Sequence, residues 1–158
     1  GGDWANDRLV PDFLRASENK KKLVIRSPNA IRPWQHVLEP LSGYLMLTEK
    51  LVIEGDNFAE AWNFGPQENN SKPVSWVVDY LNQKISNVKF EIDKNTQPHE
   101  TNLLLLDSSK AKSKLNWKPQ WPLHIAIDKV IEWHKDWKEN KTMDEVSISQ
   151  INSYCNKL

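Results

Sequence analysis

The sequence is short of cysteine, of glycine and of long apolar runs, and each shortage removes a class of function. Cys155 is the only cysteine. No internal disulfide framework can form, and a reducing compartment, the cytoplasm, is expected. No run approaches the roughly 18 apolar residues of a membrane span, and no signal-like segment occurs, so no membrane association is expected. Neither sign of charge is in excess: 21 Lys and Arg meet 21 Asp and Glu. A general nucleic-acid binder would carry a basic surplus, so no nucleic-acid partner is expected. Only five glycines occur, two of them Gly1 and Gly2. None falls in a phosphate-binding loop of the form G-x-G-x-x-G or G-x-x-x-x-G-K-[ST], and no G-x-S-x-G elbow is present. The four histidines, His36, His99, His124 and His134, form no closely spaced pair, so no metal site is expected.

What the sequence has in quantity is tryptophan, eight residues spread from Trp4 to Trp137. Such enrichment suits sugar or nucleotide stacking, and equally a core filled with large flat side chains. The length of 158 residues suits one ordinary domain with a core of its own. The opening Gly-Gly-Asp-Trp, without Met, reads as a loop met midway, so the chain is expected to be part of a longer protein.

Apolar spacing predicts a helix over residues 9–17, a short strand at 23–25 and a long helix over about 37–53. The apolar side of that long helix is expected to carry Leu38, Leu41, Leu45 and Val52. Residues 59–65 are expected as a strand. Ser71 is expected to cap a helix reaching Ile85, with Pro73 in its first turn. Further strands are expected at 88–92 and, wholly apolar, at 103–106. Asp107, Ser108 and Ser109 are expected to cap a short helix ending near Leu115. The strongest helical pattern runs from Pro122 to about Glu139, with His134 on its solvent side, and a weaker one follows from Met143. Helices mixed with short strands place the chain in the α/β or α+β class.

Tyr80 and Lys84 satisfy Y-x-x-x-K. On a helix the two would share a face, and the Lys would favour ionisation of the Tyr. The pattern is common in amphipathic helices, and here it lacks a Ser or Thr partner and a cofactor loop, so Tyr80 is expected to be structural. Other signals are distributed. Arg8 precedes a helix, Arg32, Trp34 and His36 precede the long helix, Asn63 ends an expected strand, and His99-Glu100 lies in a loop. Arginines near helix N-termini and strand ends suit a pyrophosphate clamp, because guanidinium meets phosphate oxygens in a bidentate fork. Pro33 disfavours helical geometry at Arg32 and so sets it in extended backbone.

Taken in order, "GGDWANDRLVPD", "IRPWQHVLEPLSGYL", "WNFGP", "HETNLLLLDSSKAKSKLNWKPQW" and "AIDKVIEWHKDW" resemble the C-terminal half of extended short-chain dehydrogenase/reductases acting on nucleotide sugars, in the CDP-glucose dehydratase branch. The resemblance spans Gly1 to about Lys138. It implies an α/β fold: the C-terminal, substrate-binding portion of a Rossmann-type enzyme. Residues 1–141 would form the nucleotide-sugar-binding region, including the last elements of the Rossmann core, and 142–158 a helical tail.

The resemblance implies NAD as cofactor, bound by a missing N-terminal Rossmann half that also carries the catalytic residues. This chain would then bind a CDP-sugar substrate, belong to a homo-oligomer when intact and be inactive alone. Position by position, it implies substrate contacts from Arg8, Leu9, Ile25 (beside the base), Arg32 (on the diphosphate), Asn63, His99 and Glu100. His99 and Glu100 depart from the Arg that dTDP-glucose relatives carry in that loop. Glu39 stands where many relatives have Asp, which implies a structural acid at a helix start. Two alternatives stay open: a non-catalytic carbohydrate- or nucleotide-binding module, and an epimerase or dehydratase using another base.

Overall fold

The computed structural model describes residues 4–85, 88–93 and 101–156. The chain divides into two units, one made of Gly1–Arg32 and Lys72–Leu104, the other of Pro33–Ser71 and Leu105–Leu158.

In the first unit, α1 (Leu9–Glu18) buries Phe13, Leu14 and Ala16, one face of a 3.6-residue period. Asp12 in its first turn pairs with Arg15. The strand β1 (Leu23–Ile25) alternates, with Leu23 and Ile25 buried and Val24 exposed. It pairs in parallel with β4 (Phe90–Ile92), Leu23 opposite Phe90 and Ile25 opposite Ile92. The expected strand at 88–92 is therefore confined to its last three residues. Between them in sequence, α3 (Val74–Lys84) buries Val77, Val78 and Leu81.

The start of α3 corrects an expectation. Ser71 does not cap it; Ser71–Pro73 is instead a strand, β3, paired with β2 (Ile31–Pro33). The free N–H groups of Val74 and Ser75 go to the carbonyls of Ala30 and Pro28, at 3.1 and 2.9 Å. Backbone acceptors do the work a capping hydroxyl would have done. The apolar run at 103–106 is not a strand either. Leu103 makes one parallel bridge with Ile31, and all four leucines are exposed.

The second unit holds α2 (Leu38–Glu54), α4 (Ser109–Lys114), α5 (Leu123–Lys138) and α6 (Met143–Cys155). Phe64, Ala111, Leu115 and Trp117 form its core, with Met46, Leu47, Phe58 and Trp62 packed on it. The helix α2 turns an unexpected face inward. Its buried residues are Glu39 and Gly43, while Leu41, Leu45 and Val52 are 44%, 73% and 80% exposed. Gly43 is inside because a side chain would not fit: a Cβ there would meet the Phe64 ring at 2.2 Å.

Glu39 is inside because its carboxyl is saturated. It accepts from the N–H of Gln120 (2.9 Å) and of Trp121 (2.6 Å) and from the Tyr154 hydroxyl (2.7 Å). It is a helix-start acid that ties α2 both to the loop before α5 and to α6. Ser42, one turn on, accepts from the Trp117 indole at 3.0 Å. The helix α6 also joins α5 through Trp133 to Ser147 (3.1 Å) and Gln150 to the Lys129 carbonyl (2.8 Å).

Residues 61–67 carry no regular secondary structure, against the strand expected at 59–65. Side chains rather than a ladder satisfy this backbone. Lys110 donates to the Ala61 carbonyl (2.8 Å), Gln35 to Phe64 (2.8 Å), and the Ser108 hydroxyl accepts from Gly65 N–H (2.7 Å). His134 is not a surface residue: it is buried and stacks on Trp137. Among the described residues no helix is long and apolar enough to cross a membrane, and no cluster suited to a metal ion occurs.

Candidate functional site

The first unit has an open cleft of about 560 Å³ between the start of α1 and the end of β1. Two of the expected contacts meet there. Leu9, the first residue of α1, and Ile25, the last residue of β1 and itself buried, are both among its lining residues. Leu23, Ala16 and Val74 extend the apolar lining, and Asp7, Arg26, Ser27 and Asp93 are among the polar groups around it. Such a mixture of aliphatic wall and polar groups suits a flat heterocycle with hydrogen-bonding edges.

The loop leading to α1 is held by side chains. Arg15 donates to the carbonyls of Trp4 (2.8 Å) and Ala5 (3.1 Å). Asp7 adopts a left-handed backbone, φ +60°, which short acidic residues tolerate. Its carboxylate pairs with Arg26 at 2.5 Å, linking the loop before α1 to the residue after β1. Sequence reasoning passed over both residues. Their signal was positional: each adjoins a residue already assigned to the site, Arg8 and Ile25.

The other expected residues are more dispersed. Arg8 is exposed and extended, immediately before α1, and is not among the residues lining the cleft. Arg32 lies in β2, extended as Pro33 requires, and its Nη1 donates to the carbonyls of Ile31 and Thr101, both at 2.9 Å. Thr101 directly follows Glu100 in the sequence. His99 and Glu100 themselves lie outside the described residues. Asn63 is exposed and belongs to the second unit.

His36 packs edge-on against Trp121 with ring centres 4.9 Å apart, and its Nδ1 accepts the Leu38 N–H at 3.3 Å. Burial pushes its pKa down to about 4, so it is a neutral core group. Tyr80 stacks on Trp76 at 5.3 Å, and the Lys84 ammonium lies over the Tyr80 ring, 5.2 Å from its centre. That arrangement is a cation–π contact along one helix face.

A dinucleotide needs glycines where its pyrophosphate approaches the backbone. The three described glycines, Gly43, Gly55 and Gly65, stand singly. Two of them serve packing: a Cβ on Gly43 would strike Phe64, and one on Gly65 would come within 2.6 Å of Leu106.

No family model matches the chain. It is 44% identical over 155 residues to CDP-glucose 4,6-dehydratase of Salmonella typhimurium, covering 98% of this chain and 43% of that protein. It is 26% identical over 144 residues to dTDP-glucose 4,6-dehydratase of Escherichia coli, covering 85% of this chain and 38% of that one. The chain thus spans less than half the length of the curated relatives it matches.

Among solved structures it is similar to a UDP-glucose 4-epimerase, with a TM-score of 0.70 and 20% identity over 87% of this chain and 43% of the other. A dTDP-glucose 4,6-dehydratase from Bacillus anthracis, solved in complex with NAD, matches with a TM-score of 0.66 and 20% identity over 84% and 40%. In sequence and in fold, the chain corresponds to the C-terminal part of the extended short-chain dehydrogenase/reductase epimerases and dehydratases.

Proposed function

We propose that this chain is the nucleotide-sugar-binding part of an NAD-dependent enzyme that converts CDP-glucose to CDP-4-dehydro-6-deoxy-glucose and water. The observation that carries the reading is the cleft of the first unit, whose lining includes Leu9 at the start of α1 and Ile25 at the end of β1. The 44% identity to a CDP-glucose 4,6-dehydratase supports the choice of reaction. Arg8 and Leu9 contact the nucleoside at the start of α1. Ile25 lies beside the base. Arg32, set in the extended backbone of β2 as Pro33 requires, is assigned to the diphosphate, and Asn63, His99 and Glu100 to further contacts.

Oxidation at C4, loss of water across C5 and C6 and return of the hydride are assigned to the portion of the relatives beyond this chain's span, together with NAD. The apolar stripe of α2, with Leu41, Leu45 and Val52 exposed, supports that division. Exposed apolar surface on this scale ordinarily marks a face that another part of a protein covers.

The test uses the full polypeptide that carries this chain, supplied with NAD and with CDP-, dTDP-, UDP- or GDP-glucose in turn. Mass spectrometry should show loss of one water from CDP-glucose and little from the others. Dehydration of a different sugar nucleotide in preference, or of none, would overturn the reading.

A further inference from the structure

We propose that Asp7 and Arg26 read the hydrogen-bonding edge of the pyrimidine, and so set the choice of cytosine over uracil or thymine; this rests on the nucleotide-sugar reading above. The two residues come from different elements, Asp7 from the loop before α1 and Arg26 from the residue following β1, and both line the cleft. They meet at 2.5 Å across 19 residues of sequence. Both side chains are largely solvent-exposed, 69% for Asp7 and 53% for Arg26, so their free lone pairs and N–H groups remain open to a ligand.

A base lying against Leu9 and Ile25 would present its edge to polar groups at the ends of those two elements. The pair offers that edge one acceptor beside one donor. Cytosine carries a donor at its 4-amino group and an acceptor at N3. Uracil and thymine carry the reverse, an acceptor at O4 and a donor at N3. With the carboxylate on the 4-amino group and the guanidinium on N3, cytosine makes two charge-assisted hydrogen bonds. A uracil in the same pose would set O4 against the carboxylate and N3–H against the guanidinium. A site whose polar groups are left facing the wrong partner discriminates far more strongly than one that merely loses contact area. The left-handed backbone at Asp7 fits this assignment, since it holds the carboxylate toward Arg26 at the mouth of α1.

The test is calorimetric binding of CDP and of UDP to the full polypeptide carrying this chain, for the parent, Asp7→Asn, Arg26→Met and the swapped pair Asp7→Arg/Arg26→Asp. The parent should prefer CDP by at least tenfold. Asp7→Asn, whose amide can donate or accept, should bring the ratio close to one while leaving UDP affinity within a few-fold, and Arg26→Met should do the same by removing the donor. The swapped pair restores the tie between loop and strand but reverses donor and acceptor, so its preference should shift toward UDP. If each variant weakens CDP and UDP equally, or leaves the ratio as in the parent, the pair is only a structural tie and the proposal is overturned while the nucleotide-sugar reading stands. If the parent binds neither nucleotide, the nucleotide-sugar reading itself fails and this proposal falls with it.

Discussion

Replacing Glu39 tests how the second unit is held together. Its carboxyl has no exposure and accepts from three donors: the backbone N–H of Gln120 and Trp121 and the Tyr154 hydroxyl. Glu39→Ala leaves the buried N–H of Trp121 and the partly buried N–H of Gln120 without a partner, and leaves the Tyr154 hydroxyl with only Ser42 Oγ at 3.1 Å. An orphaned buried donor costs about 1–3 kcal/mol. The Trp121 N–H is fully orphaned, while the Gln120 N–H is only partly buried and Tyr154 keeps Ser42, which sets the expected loss at about 2–5 kcal/mol, before any cavity term. Against a total of roughly 5–15 kcal/mol for a domain, that is a large fraction of the stability.

Glu39→Gln keeps one oxygen and turns an amide N–H₂ toward donors, so an intermediate loss of about 1–3 kcal/mol is expected. Tyr154→Phe removes a single neutral partner and should cost about 1 kcal/mol. Urea unfolding followed by tryptophan fluorescence is the assay, because Trp117 and Trp121 are buried beside the network. A loss below about 1 kcal/mol for Glu39→Ala, with an unchanged dependence on urea, would refute the reasoning.

The remaining predictions concern other sites. His36 is neutral when folded, with its pKa pushed from 6.5 down to about 4 by burial; the unfolded chain therefore binds the extra proton between those values, and stability should fall as pH drops from about 6.5 to about 4, by up to about 3 kcal/mol, and then level off for this group. The slope should flatten in His36→Gln when unfolding is measured across that window. Gly43→Ala should destabilise by about 1–3 kcal/mol in urea melts despite the better helix propensity of alanine, because the new Cβ meets a Phe64 ring already packed against Trp117 and Tyr44. Tyr80→Phe keeps the ring that stacks on Trp76, so turnover of the full polypeptide should stay within a few-fold of the parent. Arg32→Ala should weaken CDP-sugar binding roughly 10- to 150-fold, the equivalent of one charge-assisted partner, with partial recovery in Arg32→Lys; lost stability at unchanged affinity would assign Arg32 to its backbone carbonyls alone.

Much of the fold was legible because local rules and tertiary contacts agree there. The periodicity of residues 9–17 and the helical pattern from Pro122 to about Glu139 predict helices that the structure contains. The proline after Arg32 predicts its extended backbone, and β2 includes it. At the site, the resemblance named Leu9 and Ile25, and both are among the residues around one cleft of the first unit; their contact with substrate is proposed. The pairing of Asp7 with Arg26 was not legible beyond each one's place next to an assigned residue, because an acid and a base 19 residues apart carry no pattern until the loop before α1 and the end of β1 are brought together.

The long helix shows why pattern alone fails where it does. A period of 3.6 says that Leu41, Leu45 and Val52 share a broad face, and in α2 they do; it cannot say which face meets this unit's core. That is decided by two residues the pattern counts as poor core candidates. Gly43 wins by having no side chain in the path of Phe64, and Glu39 by accepting from three donors, two of them backbone N–H groups. Close approach and hydrogen-bond satisfaction thus outweigh the burial of three aliphatic side chains within this chain. The same misreading applies to 103–106, where four successive leucines signal burial but not the surface that provides it, and to residues 61–67, whose backbone is claimed by Gln35, Ser108 and Lys110 before any strand can pair with it.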